Sequence, residues 1–111
     1  MKFTYKNIEE IDKIYLHDWI FMGMIYEREK CTCRMIVQDY LENKREITFA
    51  EVEHLVIEDR NSYIGGEQQI FDWESVPPIS YNGKNSNMVR IRILFATCAE
   101  IFIQCYSIEI L

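Results

Sequence analysis

Alanine and leucine are scarce in this sequence, at three and five residues, against 17 isoleucines, five valines and 15 aromatics. Helices favour small or straight side chains, whereas β-branched and aromatic ones suit a pleated, half-buried surface, so a helical bundle is excluded and a β-dominated fold is expected. No apolar run approaches the ~20 residues that a membrane helix needs. Met1 to Asp12 intersperses Lys with Glu around no apolar core, so no secretory signal is read there and a cytoplasmic protein is expected. Positive charge is also short: 12 Lys and Arg stand against 18 Asp and Glu, a formal charge of -6. That balance opposes binding to nucleic acid or to an anionic membrane. There is no internal repeat, low-complexity segment or linker, and 111 residues with 49% apolar types make one folded domain.

The remaining residues read as short strands. Asn7 with Glu10 has the form of a capping box and predicts a short helix over 8–13. Trp19 to Tyr26 is apolar on both parities except at Gly23, which predicts a strand covered on both faces. Arg28 and Glu29 form a hairpin loop, after which Cys31, Cys33, Met35 and Val37 share one strand face. Leu41 to Arg45 is a polar turn. Glu46 to Asp59 carries both a helical spacing (Phe49, Val52, Val56, behind a Thr48–Glu51 capping box) and a strand alternation. It reads as two short strands joined by a helical turn or bulge at 49–52, with a single helix over 49–59 as the alternative. Asn61 to Gly66 is a loop, and Gln69 to Glu74 is a strand stopped by Pro77-Pro78. A loop around Asn82-Gly83 then leads to the clearest strand, with Val89, Ile91, Ile93 and Phe95 inward and Arg90 and Arg92 outward. Ile101 to Ile110 is a central strand or one shifted by a bulge. About seven short strands with a short N-terminal helix predict a mainly antiparallel all-β sandwich or partly closed barrel.

Chemistry-bearing patterns are sparse. Cys31 and Cys33 form C-x-C, while Cys98 and Cys105 stand seven apart, and neither spacing makes a zinc knuckle. The four thiols are read as reduced, metal-free residues filling core positions. His17-Asp18 and His54 are the only histidines with acidic neighbours, and a metal site with Glu58 or Asp59 is conceivable on composition. Neighbours on a strand point to opposite faces, however, which separates His17 from Asp18. No serine lies in a G-x-S-x-G elbow and no glycine-rich loop cradles phosphate. Asp72 and Glu74 share a strand face, but a domain of this length has no room for a deep cleft around them. No catalytic residue, metal or cofactor is expected.

Charge is segregated, however. Residues 46–74 hold eight carboxylates (46, 51, 53, 58, 59, 67, 72 and 74) and one cation, Arg60, while the rest of the chain has ten acidic and eleven basic residues. Glu51, Glu53, Glu58, Asp59, Asp72 and Glu74 are accordingly the candidate partner-binding residues, aimed at another protein with a basic surface.

The order "YLHDWI" (Tyr15 to Ile20), two strands, "ITFAEV" (Ile47 to Val52) and a closing hairpin resembles a loose group of small bacterial β-rich proteins. Some of these are predicted immunity proteins of toxin systems. Trp19 stands where that pattern has a small residue, and the Cys-x-Cys strand is not part of it. The resemblance implies a β fold and a bacterial origin, and assigns no catalytic residues. Three readings follow in order: a non-enzymatic, immunity-like binding module with an acidic face; a homo-oligomeric module built by pairing a sheet edge; and a small His/Asp hydrolase or metal-dependent enzyme.

Overall fold

The computed structural model describes residues 1–58, 68–80 and 87–111. The expected loops at Asn61–Gly66 and Asn82–Gly83 lie outside these residues. The fold is all-β and antiparallel, as the composition requires. Nine strands, rather than seven, form one sheet: β1 (Lys2–Phe3), β2 (Ile20–Glu27), β3 (Thr32–Gln38), β4 (Lys44–Ala50), β5 (His54–Glu58), β6 (Gln68–Val76), β7 (Val89–Phe95), β8 (Glu100–Cys105) and β9 (Ser107–Ile110). Their order is β1-β9-β4-β3-β2-β6-β7-β8-β5, so β1 and β5 are the two edges and the sheet is not closed.

The higher count comes from bends. Glu46 to Glu58 is two strands, β4 and β5, and its partner is likewise divided at Tyr106 into β8 and β9. β4 pairs with β9 through Ala50↔Ser107, and β5 pairs with β8 from His54↔Gln104, so three residues, 51–53, stand opposite two. A bulge of one residue bends both strands together, which is how a chain turns from one half of a folded sheet into the other. Glu51 takes a positive φ of 52° at this corner, and the Val52 N–H donates to the Cys31 carbonyl. The two-strand reading therefore holds, and neither the Thr48 capping box nor a helix over 49–59 forms.

The strand Val89–Phe95 has the expected parity. Val89, Ile91, Ile93 and Phe95 are buried, and Arg90 and Arg92 face outward. Together with Phe21, Phe49, Met35, Ile101 and Ile103 they form one core, in which the Phe21 and Phe95 rings meet edge to face. Each such side chain contributes about 1.5–3 kcal/mol by leaving water. Pro77 ends the ladder one residue after β6.

Four local expectations are corrected. The turn over Ile8–Lys13 is a 3₁₀ helix, and Asn7 does not cap it: its Oδ1 accepts from the Thr4 N–H and its Nδ2 donates to the Lys2 carbonyl, tying the helix to β1 instead. β2 is covered mainly at Phe21, whereas Ile25 and Tyr26 are exposed. Its paired register slips at Met22, so the run of apolar residues on both parities reflects a bulge and not burial on two faces. Cys31 leaves the β3 face for the preceding turn, at φ 49°, while Cys33, Met35 and Val37 stay buried. Cys98 is also exposed, so two of the four thiols, not all four, fill core positions. Burial pushes the Cys33 thiol up to about 11 and the Cys105 thiol up to about 12. Among the described residues no helix is long and apolar enough to cross a membrane.

Candidate functional site

The outer face of the β6-β7-β8-β5 half gathers most of the candidate carboxylates. Strand alternation sends Asp72, Glu74 and Val76 of β6 outward beside Leu94, Arg92 and Arg90 of β7. β8 adds Glu100, Phe102 and Gln104, and β5 adds Glu58, Val56 and His54. Pairing then makes three cross-strand rows. One runs Asp72, Leu94, Glu100, Glu58; the next Glu74, Arg92, Phe102, Val56; the third Val76, Arg90, Gln104, His54. Directly opposed residues on one face have Cβ atoms about 4.5–5.5 Å apart, so Glu58 and Glu100 are juxtaposed like charges.

Arg92 answers part of this charge. Its guanidinium donates to Glu100 at 2.7 Å and to Glu74 at 3.2 Å. Those two carboxylates, Glu100 foremost, hold the Arg92 pKa above its ordinary value, so it is a permanent cation. Arg90 lies over the Phe102 ring at 4.7 Å. Glu53 joins the same face at the corner, where its Oε1 accepts from Gln104 Nε2 at 2.7 Å. Among the described residues the face thus carries five carboxylates, Glu53, Glu58, Asp72, Glu74 and Glu100, against two cations, Arg90 and Arg92. A shallow depression of about 140 Å³ opens on it between β6 and β7, lined by Phe71, Asp72, Trp73, Glu74, Arg92 and Leu94.

The acidic stretch is not one continuous surface, which corrects the reading from composition. Glu46 faces outward on the other half of the sheet and pairs with Arg34 at 3.8 Å. Glu51 is exposed at the corner, off the three rows. Asp59 lies outside the described residues. Glu100 and Arg92 belong to the site and were missed because they lie outside residues 46–74; only the non-local β5–β8 pairing places Glu100 against Glu58.

Beside the depression, Phe71 is the extra residue of a bulge between Ile70 and Asp72 and is 50% exposed. Its ring meets the His17 ring edge-on at 5.5 Å, and Tyr15 continues the cluster 5.6 Å beyond His17. His17 and Asp18 do come together, contrary to the strand-parity argument, because they lie in a turn where Asp18 has φ 71°. His17 Nε2 is 3.5 Å from Asp18 Oδ1, while its Nδ1 donates to the Phe71 carbonyl at 2.8 Å. Asp18 also accepts from the Gln69 side chain. The pair ties the turn before β2 to the start of β6. Among the described residues no three His, Cys, Asp or Glu side chains are grouped to hold a metal.

No protein-family model matches the chain, and no curated protein is similar to it in sequence. Its fold is similar to the crystal structure of an uncharacterized protein from Neisseria gonorrhoeae, at 14% identity over 99% of this chain and 96% of that chain, with a TM-score of 0.51. At that identity the likeness establishes a shared fold.

Proposed function

We propose that the protein is a non-enzymatic binding module that takes a basic protein surface on the outer face of β6-β7-β8-β5. The juxtaposition of Glu58 and Glu100 supports this reading most. Like charges directly opposed across strands work against folding, and Arg92 reaches only Glu100 of the two. A lysine or arginine from a partner placed over the pair would relieve that repulsion and be steered in by the excess of carboxylates. Phe71 and Tyr15 supply apolar area at the rim, where aromatic anchors carry much of the energy of a protein interface. An immunity-like role, in which this face covers the basic surface of a toxin in the cytoplasm, is the form that the "YLHDWI…ITFAEV" order favours.

An oligolysine peptide titrated into isotope-labelled protein tests the placement. The amide signals of Glu58, Asp72, Glu74 and Glu100 should shift first, ahead of those around Glu46 and Glu109 on the other half. Equal shifts on both halves would reduce the face to ordinary solvated charge.

A further inference from the structure

Among the described residues the core ends in an exposed side chain at one edge of the sheet. On the inner face a row runs Trp73, Ile93, Ile101, Ile57 across four strands. The first three are 3%, 0% and 0% exposed, whereas Ile57, at the β5 edge, is 43% exposed. Among the described residues β5 pairs with β8 alone. Edge strands are normally blunted by shortness, proline, lysine or a bulge. β1, the other edge, is two residues long and includes Lys2. β5 pairs residue for residue over five positions, His-Leu-Val-Ile-Glu, with no bulge, proline or lysine.

We infer that the β5 edge is a self-association site, at which a second copy of this chain adds its own β5 antiparallel. The five residues are self-complementary about Val56. Pairing centred there sets Val56 against Val56 of the second copy on the outer face and Leu55 against Ile57 on the inner face, which extends the core row over the exposed Ile57. The same register sets the Glu58 carboxylate of each copy beside the His54 imidazole of the other, so a carboxylate–imidazole pairing is made twice. A slip by two residues, to a pairing centred on Ile57, keeps the two-fold symmetry but sets Glu58 against Val56 and removes the Glu58–His54 pairing. The two-fold axis of such a pair is perpendicular to the sheet, so the closed point-group symmetry of a dimer results. The outer faces of both copies then lie on the same side, and the acidic row Asp72, Leu94, Glu100, Glu58 of one runs into His54, Gln104 and Arg90 of the other. This inference stands whether or not the outer face binds a basic partner.

Sedimentation equilibrium over about 1–500 µM, with a V56C variant in a C31S/C98S background, tests it. The parent protein should show a monomer–dimer equilibrium that strengthens with salt, because each copy carries a formal charge of -6 and screening removes the repulsion. Binding to a basic partner weakens with salt, so the two associations are separable in one buffer series. Val56→Lys places like charges on the axis and should weaken the dimer about tenfold or more while leaving the circular dichroism unchanged. Directly opposed residues sit about 4.5–5.5 Å apart at Cα, within disulfide range, so V56C should cross-link to a covalent dimer with oxidised glutathione. Leu55→Cys, which faces Ile57 and not itself, should not. A protein that stays monomeric at every concentration and salt, or a dimer that neither V56C captures nor V56K weakens, overturns the inference.

Discussion

The side-chain amide of Gln104 holds the backbone of Ile79 at both polar atoms: Oε1 accepts from the Ile79 N–H and Nε2 donates to the Ile79 carbonyl, each at 2.8 Å. Gln104 points outward from β8 yet is 1% exposed, because the chain after Pro77-Pro78 passes over it. The same Nε2 reaches Glu53, so one residue joins the corner of the sheet, β8 and the segment that follows β6.

Gln104→Ala removes these three bonds. Ile79 is itself solvent-accessible and water replaces part of the loss, so the cost should be about 1–2 kcal/mol. Hydrogen exchange reads it locally: the Ile79 amide should lose its protection while amides at the centre of β7 keep theirs relative to global unfolding. Unchanged exchange at Ile79 would show that the segment is held by other contacts.

The parity of β7 fixes a second outcome. Ile91→Ala empties a site that is fully buried and should cost about 2–5 kcal/mol. Arg92→Ala removes two partly exposed ion pairs and should cost about 1 kcal/mol or less. Urea melts of both variants decide it, and equal midpoints would invert the faces of the strand.

β7 was legible in the sequence because its alternation is local: Val89, Ile91, Ile93 and Phe95 carry the period unaided. Failures came wherever a turn or a distant strand decides. Alternation places His17-Asp18 and Cys31 on strand faces, but positive φ at Asp18 and Cys31 takes them out of the pleat. Neither is glycine; aspartate enters the left-handed region more readily than most residues, but Cys31 carries no such signal. The carboxylates of residues 46–74 looked like one surface, yet the corner at Glu51–Glu53 sends Glu46 to one half of the sheet and Glu58 to the other. The site depends on β5–β8 and β6–β7 pairing across long stretches of chain, which local periodicity does not encode.

The thiols give a third outcome. Cys31 and Cys98 are exposed and Cys33 and Cys105 are buried, so an aromatic disulfide reagent should count two fast thiols in the native protein and four after denaturation. Fewer than four after denaturation would mean oxidised or metal-bound cysteines.

Alkaline pH reads the buried pair independently. An unperturbed thiol titrates near 9.0, while burial pushes Cys33 to about 11 and Cys105 to about 12 in the folded chain. Below about pH 8 both states keep the protons and these groups add no pH dependence. Between 9 and 11 the unfolded chain loses them first, so stability falls as pH rises, by up to about 1.4 kcal/mol per unit for each thiol. The Cys33→Ala/Cys105→Ala variant should flatten this part of the profile; an unchanged slope would assign it to other groups.

The proposal that the outer face of β6-β7-β8-β5 takes a basic protein is tested most directly by parallel affinity capture from a lysate of the source cell. The baits are the natural chain and its Glu58→Gln/Asp72→Asn/Glu74→Gln variant, each at about 50 and about 300 mM salt, a range that shortens the reach of exposed charges to below roughly 10 Å. The account predicts a protein of basic isoelectric point that the natural chain holds at low salt, releases at high salt, and that the equally well-folded variant does not hold. Recovery of the same chains by both baits, or of none whose retention depends on salt, would contradict it.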